Sequence, residues 1–212
     1  RHLAGKRLNI DKLIIKDPDT WRPSVSNELG RLSDGIRDVA GNQAIVFIPK
    51  SAVPLGKKVT YANMVCDYRP YKDDPYRTRL TIGGDKLEYF GDSASPAASL
   101  LETKLLINSV ISHSDRGARF ASIDIKDHFL QSLLPDPEYM RIHSKYFFDD
   151  IRTQYDIDNL IDQDGYVYCK IVKGMYGLKQ AAMLGRNKII EVLKPFGYAP
   201  DPISPNLSLI HI

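Results

Sequence analysis

The chain has 212 residues, of which 43% are hydrophobic and 26% are charged, a composition typical of a globular protein rather than a disordered or fibrous one. No apolar run approaches the roughly 18 residues that a membrane-spanning helix needs, so we expect no membrane partner. The two cysteines, Cys66 and Cys169, lack any C-x-x-C pattern, which argues against a disulfide framework or a zinc site and indicates an intracellular setting.

The first half of the chain predicts a helix followed by a hairpin. We expect residues 1–20 to form a polar lead-in loop. Apolar residues with helical spacing predict a helix that Thr20 caps and Gly35 ends. These apolar residues are Trp21, Val25, Leu29 and Leu32. Strands are predicted over residues 44–49, 60–68 and 76–82, and the short proline-containing loop between the last two indicates a β-hairpin.

The second half predicts an alternation of helices and strands. The predicted helices cover residues 100–112, a short stretch that ends by Pro135, residues 146–161 and residues 178–195. The predicted strands cover residues 119–124, 139–142 and 166–172. A hairpin followed by this alternation indicates an α+β fold with a partly antiparallel sheet.

Asp124 is the most informative residue of the predicted strand over residues 119–124. An apolar run from Phe120 to Ile125 contains this single carboxylate. An isolated buried charge costs several kcal/mol unless it is paired or bound to a metal. The pattern therefore predicts a cation site, with a strand-end cap or a salt bridge as the alternative.

Two further stretches suggest which kind of site this is. Residues 76–80 form a basic strand with Arg77 and Arg79, and residues 173–182 form a glycine-hinged junction between a strand and a helix. The net charge of +3 is unevenly distributed, because residues 1–80 contain more Lys and Arg than Asp and Glu. Such a basic excess favours phosphate binding. A metal-binding carboxylate with phosphate-binding cations is what phosphoryl transfer requires. Pairing of Arg79 with a surface acid such as Asp73 or Asp74 is the alternative.

In this order, these stretches resemble the reverse transcriptase of copia-type LTR retrotransposons. The resemblance lies in the R-x-R-L strand, the D-I-K-D-x-F-L motif that begins at Asp124 and the K-G-M-Y-G-L-x-Q-A block that begins at Lys173. It covers about residues 20–206. It implies the fingers and partial palm of a right-hand polymerase, with a fingers-like region over residues 21–98 and a partial palm over residues 99–206.

The resemblance implies a metal and phosphate site. Asp124 corresponds to the first catalytic aspartate of the palm, which binds Mg²⁺ (or Mn²⁺) together with the backbone carbonyl of Ile125. Arg79 corresponds to the fingers arginine that holds the triphosphate of the incoming dNTP, and Arg77 assists it.

The resemblance also implies contacts to the sugar and the base pair. Phe129 corresponds to the aromatic steric gate that selects dNTPs, with a plain core position as the alternative. Asp127 and His128 would line the sugar pocket. Residues 177–180, with Gly177, Lys179 and Gln180, would pack against the nascent base pair and template, or else form only a helix start.

The activity implied is RNA-directed DNA synthesis by two-metal nucleotidyl transfer. The implied partners are a template–primer of RNA or DNA and the rest of the Pol polyprotein. The implied locations are the cytoplasm, in a virus-like particle, and the nucleus. The two adjacent aspartates that the family carries after the Lys179 helix do not occur in this sequence. We therefore expect this chain to be inactive by itself. A non-catalytic nucleic-acid-binding relic and a DNA-templated polymerase of related palm design are the alternatives.

The last six residues have a separate interpretation. The codons CTG TCT CTT ATA CAC ATC encode Leu-Ser-Leu-Ile-His-Ile, the sequence of residues 207–212. They also spell a transposon end that is used to prepare sequencing libraries. We interpret this tail as translated adapter, and the source nucleotide sequence tests that hypothesis.

Overall fold

The computed structural model describes residues 9–93, 95, 97–202 and 208–210. The helices are α1 (Ile10–Lys16), α2 (Pro18–Leu32), α3 (Leu100–Ser112), α4 (Asp149–Gln154) and α5 (Ala181–Leu193). The strands are β1 (Gly35–Ile36), β2 (Val39–Ala40), β3 (Ile45–Ile48), β4 (Val59–Tyr68), β5 (Tyr76–Ile82), β6 (Leu133–His143), β7 (Tyr166–Lys173), β8 (Tyr198–Pro200) and β9 (Ser208–Ile210). The predicted α+β class is confirmed.

The centre of the fold is a five-stranded sheet with the order β3-β7-β6-β4-β5. All neighbouring strands in it are antiparallel except β4 and β6, which run parallel. A parallel pair needs a long crossover, and here the chain between β4 and β6 includes β5 and α3. The prediction of a partly antiparallel sheet is therefore confirmed.

The β4–β5 hairpin matches the predicted bounds to within one residue, because its strands and its loop are all local features. Tyr68 pairs with Tyr76 at the end of the loop, and Val65 pairs with Arg79 further along. Alternate residues of a strand point to opposite faces. Thr78 and Leu80 are buried, whereas Arg77 and Arg79 lie on the other, partly exposed face.

Helix α2 packs its predicted apolar face into the core. Trp21, Val25, Leu29 and Leu32 are all buried there. The expected start of the helix was wrong, because Asp17 rather than Thr20 is the cap and its carboxylate accepts a hydrogen bond from the Thr20 N–H. Proline fits the first position of a helix, where its missing N–H costs nothing, so the helix begins at Pro18.

The lead-in loop expected over residues 1–20 is also wrong for the part that the structure describes. Residues 10–16 form α1, which Asn9 caps, and Ile10 is buried in the core. Leu13 and Ile14 are partly buried against the same core, and this packing offsets the low intrinsic stability of so short a helix. Residues 1–8 lie outside the described residues.

The predicted strand over residues 119–124 is not formed. These residues have no regular structure, and Phe120 and Ile123 are exposed. A strand needs a neighbouring strand for its hydrogen bonds, and no described strand pairs with this run. Asp124 is therefore exposed rather than at the end of a buried strand, so burial no longer supports the prediction of a cation site there.

Smaller differences concern the remaining elements. The short helix predicted before Pro135 is a 3₁₀ turn over His128–Gln131, and the single helix expected over residues 146–161 is reduced to α4 with 3₁₀ turns on both sides. Strand β9, inside the tail interpreted as adapter, pairs with β8. Of the described helices, none has the length and hydropathy that crossing a membrane requires.

Candidate functional site

A cleft of about 680 Å³ lies between α2, strand β5 and the segment that begins at Asp124. Five of the residues predicted for the site line it: Arg77, Arg79, Asp124, Ile125 and Asp127. The carboxylate motif and the basic strand are some 45 residues apart in the sequence, and the fold brings them to the walls of one cavity.

Arg77 and Arg79 form the basic wall of the cleft. Among the described residues, neither guanidinium has a hydrogen bond or an ion pair with another side chain, and the Nε of Arg79 is buried without an acceptor. Burial lowers the pKa of Arg77, and the positive charges of Arg79 and Arg69 lower it further. The pairing of Arg79 with Asp73 or Asp74, considered as an alternative, is not found. The cleft thus has a pair of cations that an anion would stabilise.

Tyr176 connects this basic wall to the aromatic residue of the aspartate motif. The Arg79 guanidinium lies 5.4 Å from the centre of the Tyr176 ring, a cation–π distance. The Tyr176 ring in turn meets Phe129 edge-on, with 5.2 Å between ring centres. Tyr176 lines the cleft whereas Phe129 does not. The sequence prediction omitted Tyr176, although its place before Gly177 in the glycine-hinged block was a usable signal.

Gly177 serves the contact between the glycine-hinged block and β5. Its backbone has φ +100°, and a Cβ at this position would overlap the carbonyl oxygen of Ile82. Beside it, the Ile82 N–H donates to the carbonyl oxygen of Tyr176 at 2.8 Å. Glycine is the residue that allows this backbone conformation and this close approach. Gly177 does not line the cleft itself, but it allows the backbone contact with β5 that positions Tyr176 there.

Three other predicted site residues contact different parts of the molecule. The Lys179 ammonium donates to the carbonyl oxygen of Leu87 at 3.0 Å. The Gln180 side chain is buried. Burial raises the pKa of Glu138, and a hydrogen bond from the Gln180 side chain opposes that shift. His128 packs against α5 at Gly185. None of these three lines the cleft, because the turn at Asp127 and the start of α5 direct them away from it.

The acidic wall depends on two residues that the sequence prediction did not select. Arg31 donates to both oxygens of Glu28 at 2.9 Å and to Asp127 at 2.6 Å. Glu28 is buried and also accepts the backbone N–H of Leu80 at 3.0 Å. Burial raises the pKa of Glu28, while the charge of Arg31 and the Leu80 N–H oppose that shift. An acidic residue on the buried face of the predicted helix, with arginine three residues later, was the available signal.

Asp124 lies on the same wall with its carboxylate free of any described partner. No three or more His, Cys, Asp or Glu side chains of the described residues form a group that could hold a metal ion. Mg²⁺ is usually bound by one or two carboxylates, waters and substrate phosphates rather than by protein ligands alone. The Asp124 carboxylate and the Ile125 backbone, which both line the cleft, are the groups that would hold an ion if it arrived with a phosphate ligand.

Comparison of the chain with known protein families, with curated proteins and with solved structures found no match.

Proposed function

We propose that the cleft binds the triphosphate of a dNTP together with Mg²⁺, and that the chain is the fingers and partial palm of a copia-type reverse transcriptase. The observation that carries this proposal is that Arg77, Arg79 and the Asp124 carboxylate line the same cleft, and that none of the three has a hydrogen bond or ion pair with another side chain of the described residues. A phosphate group and a cation are the ligands that such a combination attracts.

The arginines supply the phosphate-binding part of the proposal. A guanidinium presents its N–H donors in a planar fork that matches phosphate oxygens. Arg77 and Arg79 lie two residues apart on one face of β5, so both forks can reach the same polyphosphate. The Tyr176 ring lies at cation–π distance from the Arg79 guanidinium, a contact that would hold Arg79 in place before the phosphate binds and so lower the entropy cost of binding.

The carboxylate of Asp124 and the carbonyl of Ile125 would hold Mg²⁺ on the opposite wall. In a polymerase the ion neutralises charge on the phosphates and activates the attacking hydroxyl. Asp124 is exposed to the cleft, which leaves it accessible to a nucleotide-bound ion. Phe129 does not line the cleft, so its proposed role in sugar selection would be to support the Tyr176 ring, which it contacts edge-on.

The template–primer is the second proposed ligand. Contacts to such a duplex would be mostly to its backbone, so its binding should weaken as salt increases. Since the sequence contains no adjacent aspartates after Lys179, we propose that this chain binds nucleotide without extending a primer.

Calorimetric titration with dTTP and Mg²⁺ tests the proposal. We expect Arg79→Gln to weaken binding by roughly 10- to 100-fold, because it removes hydrogen bonds to a charged group. Arg141→Gln is the matched control, since Arg141 also lies over a tyrosine ring, Tyr166, but does not line the cleft. Equal affinity of wild type and Arg79→Gln would contradict the proposal. Salt-sensitive binding of a template–primer without any dNTP binding would favour the non-catalytic relic.

A further inference from the structure

We infer that Arg31 is a positioning residue that fixes the segment carrying Asp124 relative to the strand carrying Arg77 and Arg79. The inference rests on the proposed function, because it concerns the metal side of the same cleft. It assigns to Arg31 a part in Mg²⁺-dependent nucleotide binding that requires no contact with the nucleotide.

Arg31 connects the two walls of the cleft by one continuous set of hydrogen bonds. Its Nη1 donates to Asp127 at 2.6 Å, while its Nε and Nη2 each donate to Glu28 at 2.9 Å. Glu28 accepts the N–H of Leu80, which follows Arg79 on β5. Asp127 lies three residues after Asp124. The path therefore runs from the basic strand to the carboxylate segment.

The carboxylate segment before Asp127 is exposed and irregular, so its position depends on the turn at Asp127. Residues 118–125 have no regular structure, and residues 119–126 are exposed. Asp127 has a left-handed backbone, with φ 54° and ψ 34°, which costs an L-residue energy unless its surroundings stabilise it. Its two carboxylate oxygens accept from Arg31 and, at 3.4 Å, from Asn42. The turn is also closed by the Leu130 N–H, which donates to the Asp127 carbonyl oxygen at 2.9 Å, and by the Gln131 side chain, which donates to the Lys126 carbonyl oxygen at 3.0 Å. Of these described contacts, the ion pair with Arg31 is the one that connects the turn to α2 and, through Glu28, to β5.

Arg31 differs from the two arginines proposed to bind phosphate. All three of its guanidinium nitrogens already donate to carboxylates, and its side chain is only 16% exposed. Arg77 and Arg79 have no such partners among the described residues. Arg31 lines the cleft as well, but its donors are committed to Glu28 and Asp127, so its contribution is to geometry rather than to direct phosphate binding.

The separate effect of Mg²⁺ tests this assignment. In calorimetric titrations of dTTP with Mg²⁺ or with EDTA, we expect Arg31→Lys to weaken binding about tenfold with Mg²⁺, since lysine cannot serve both carboxylates. Without Mg²⁺, the same variant should bind within about twofold of wild type, because the phosphate-binding arginines are unchanged. An equal loss under both conditions would overturn the inference, because the effect of Arg31 would then not depend on the metal side of the cleft, and no loss under either condition would also overturn it.

A second variant breaks the same ion pair from its other partner, so that the result does not depend on the Arg31→Lys protein alone. Asp127→Asn removes the ion pair from its partly exposed end, and we expect the same Mg²⁺-dependent loss. The double variant, Arg31→Lys with Asp127→Asn, should bind dTTP no more weakly than either single variant, because each single change and the double change break the same ion pair. Additive losses of affinity would contradict a shared role of the two residues.

The proposed function and the role of Arg31 can fail separately. If wild type binds no dTTP under either condition, the proposed function fails, and hydrogen exchange then decides the role of Arg31. Faster exchange of residues 124–130 in Arg31→Lys, with unchanged exchange in β7, would support the positioning role. Unchanged exchange of residues 124–130 would overturn it.

Discussion

Helix α3 and helix α2 were predicted from the same kind of apolar pattern, yet their surroundings in the structure are opposite. Val25 and Leu29 of α2 are completely buried against the sheet, whereas Leu105 and Ile111 of α3 are largely exposed and α3 contains no buried residue. Apolar periodicity therefore predicts that a helix forms, but it does not show that the helix has a packing partner.

The segment after α3, residues 119–124, differs from α3 in that its predicted structure needs a neighbouring strand. A helix forms its hydrogen bonds within itself, and the capping box of Ser99 and Glu102 satisfies the start of α3. A strand depends on a neighbour, and residues 119–124 have none among the described strands. A helix can therefore form where the local sequence predicts it even without a packing partner, whereas a predicted strand forms only where a neighbouring strand is available, as it is for β4 and β5.

Amide hydrogen exchange should show the largest contrast between these regions. In β7, we expect the amides of Cys169 and Ile171 to exchange only through global unfolding, a protection of about 5 kcal/mol or more. The amides of Phe120 and Ile123 should exchange at nearly the rate of an unfolded peptide. Protection of residues 119–124 equal to that of β7 would show that this run forms a strand after all.

Paired leucine substitutions should separate the two helices in stability. Leu29→Ala should lower the free energy of unfolding by about 2–5 kcal/mol, because it leaves a cavity in the core. Leu105→Ala should change it by no more than about 0.5 kcal/mol, since that side chain is 59% exposed. Urea unfolding followed by circular dichroism measures both. A cost for Leu105→Ala similar to that for Leu29→Ala would mean that α3 is packed.

Asp162 tests the turn that leads into β7. Its carboxylate accepts the N–H groups of Asp164 and Tyr166, the Tyr168 hydroxyl at 3.1 Å and the Lys50 ammonium at 3.1 Å. We expect Asp162→Asn to lower the free energy of unfolding by about 1–3 kcal/mol at pH 7. Asp164→Asn is the matched control, because that side chain is largely exposed, and it should leave stability nearly unchanged.

The same carboxylate has a predictable pH dependence. Burial acts to raise the pKa of Asp162, but its hydrogen bonds from Tyr166, Lys50 and Tyr168 outweigh burial and lower it. Because the folded-state pKa is below the unfolded one, the stabilisation is present above the unfolded value of about 3.9 and is lost as pH falls through the folded value. The difference between wild type and Asp162→Asn should therefore shrink in urea unfolding at pH 3, and a larger difference there would contradict the sign of the shift.

Loss of the α3 cap should have the smallest effect on the whole protein. Ser99→Ala removes the side chain that accepts the Glu102 N–H at 3.1 Å, which should destabilise the first turn of α3 by about 1 kcal/mol. We expect faster amide exchange in that turn and an unchanged urea midpoint. A lowered midpoint would indicate that α3 unfolds cooperatively with the sheet.

Local pattern determined how much of the fold was predictable. The β4–β5 hairpin and α3 were predicted with nearly correct bounds, because short-range spacing specifies both. The common face of Arg77 and Arg79 followed from the two-residue period of a strand. The predicted strand before Asp124 was wrong because its formation depends on chain elements distant in the sequence.

The candidate site was predictable in part for the same reason. Asp124 and the two arginines line one cleft, as the motifs indicated. The ion pair between Arg31 and Asp127 joins residues 96 positions apart, so no local pattern predicts it. Lys179 contacts Leu87 away from the cleft, because the direction of a side chain after a glycine turn depends on the tertiary contacts of that turn.

The most direct test of triphosphate binding between β5 and the Asp124 segment is a titration of the ¹⁵N-labelled protein with dTTP and Mg²⁺, followed by amide chemical shifts. We predict the largest shift changes at Arg77, Arg79, Asp124 and Tyr176, with the amide of Arg141 unmoved. Shift changes that are absent from the cleft, or that are centred on Arg141, would contradict the proposed site.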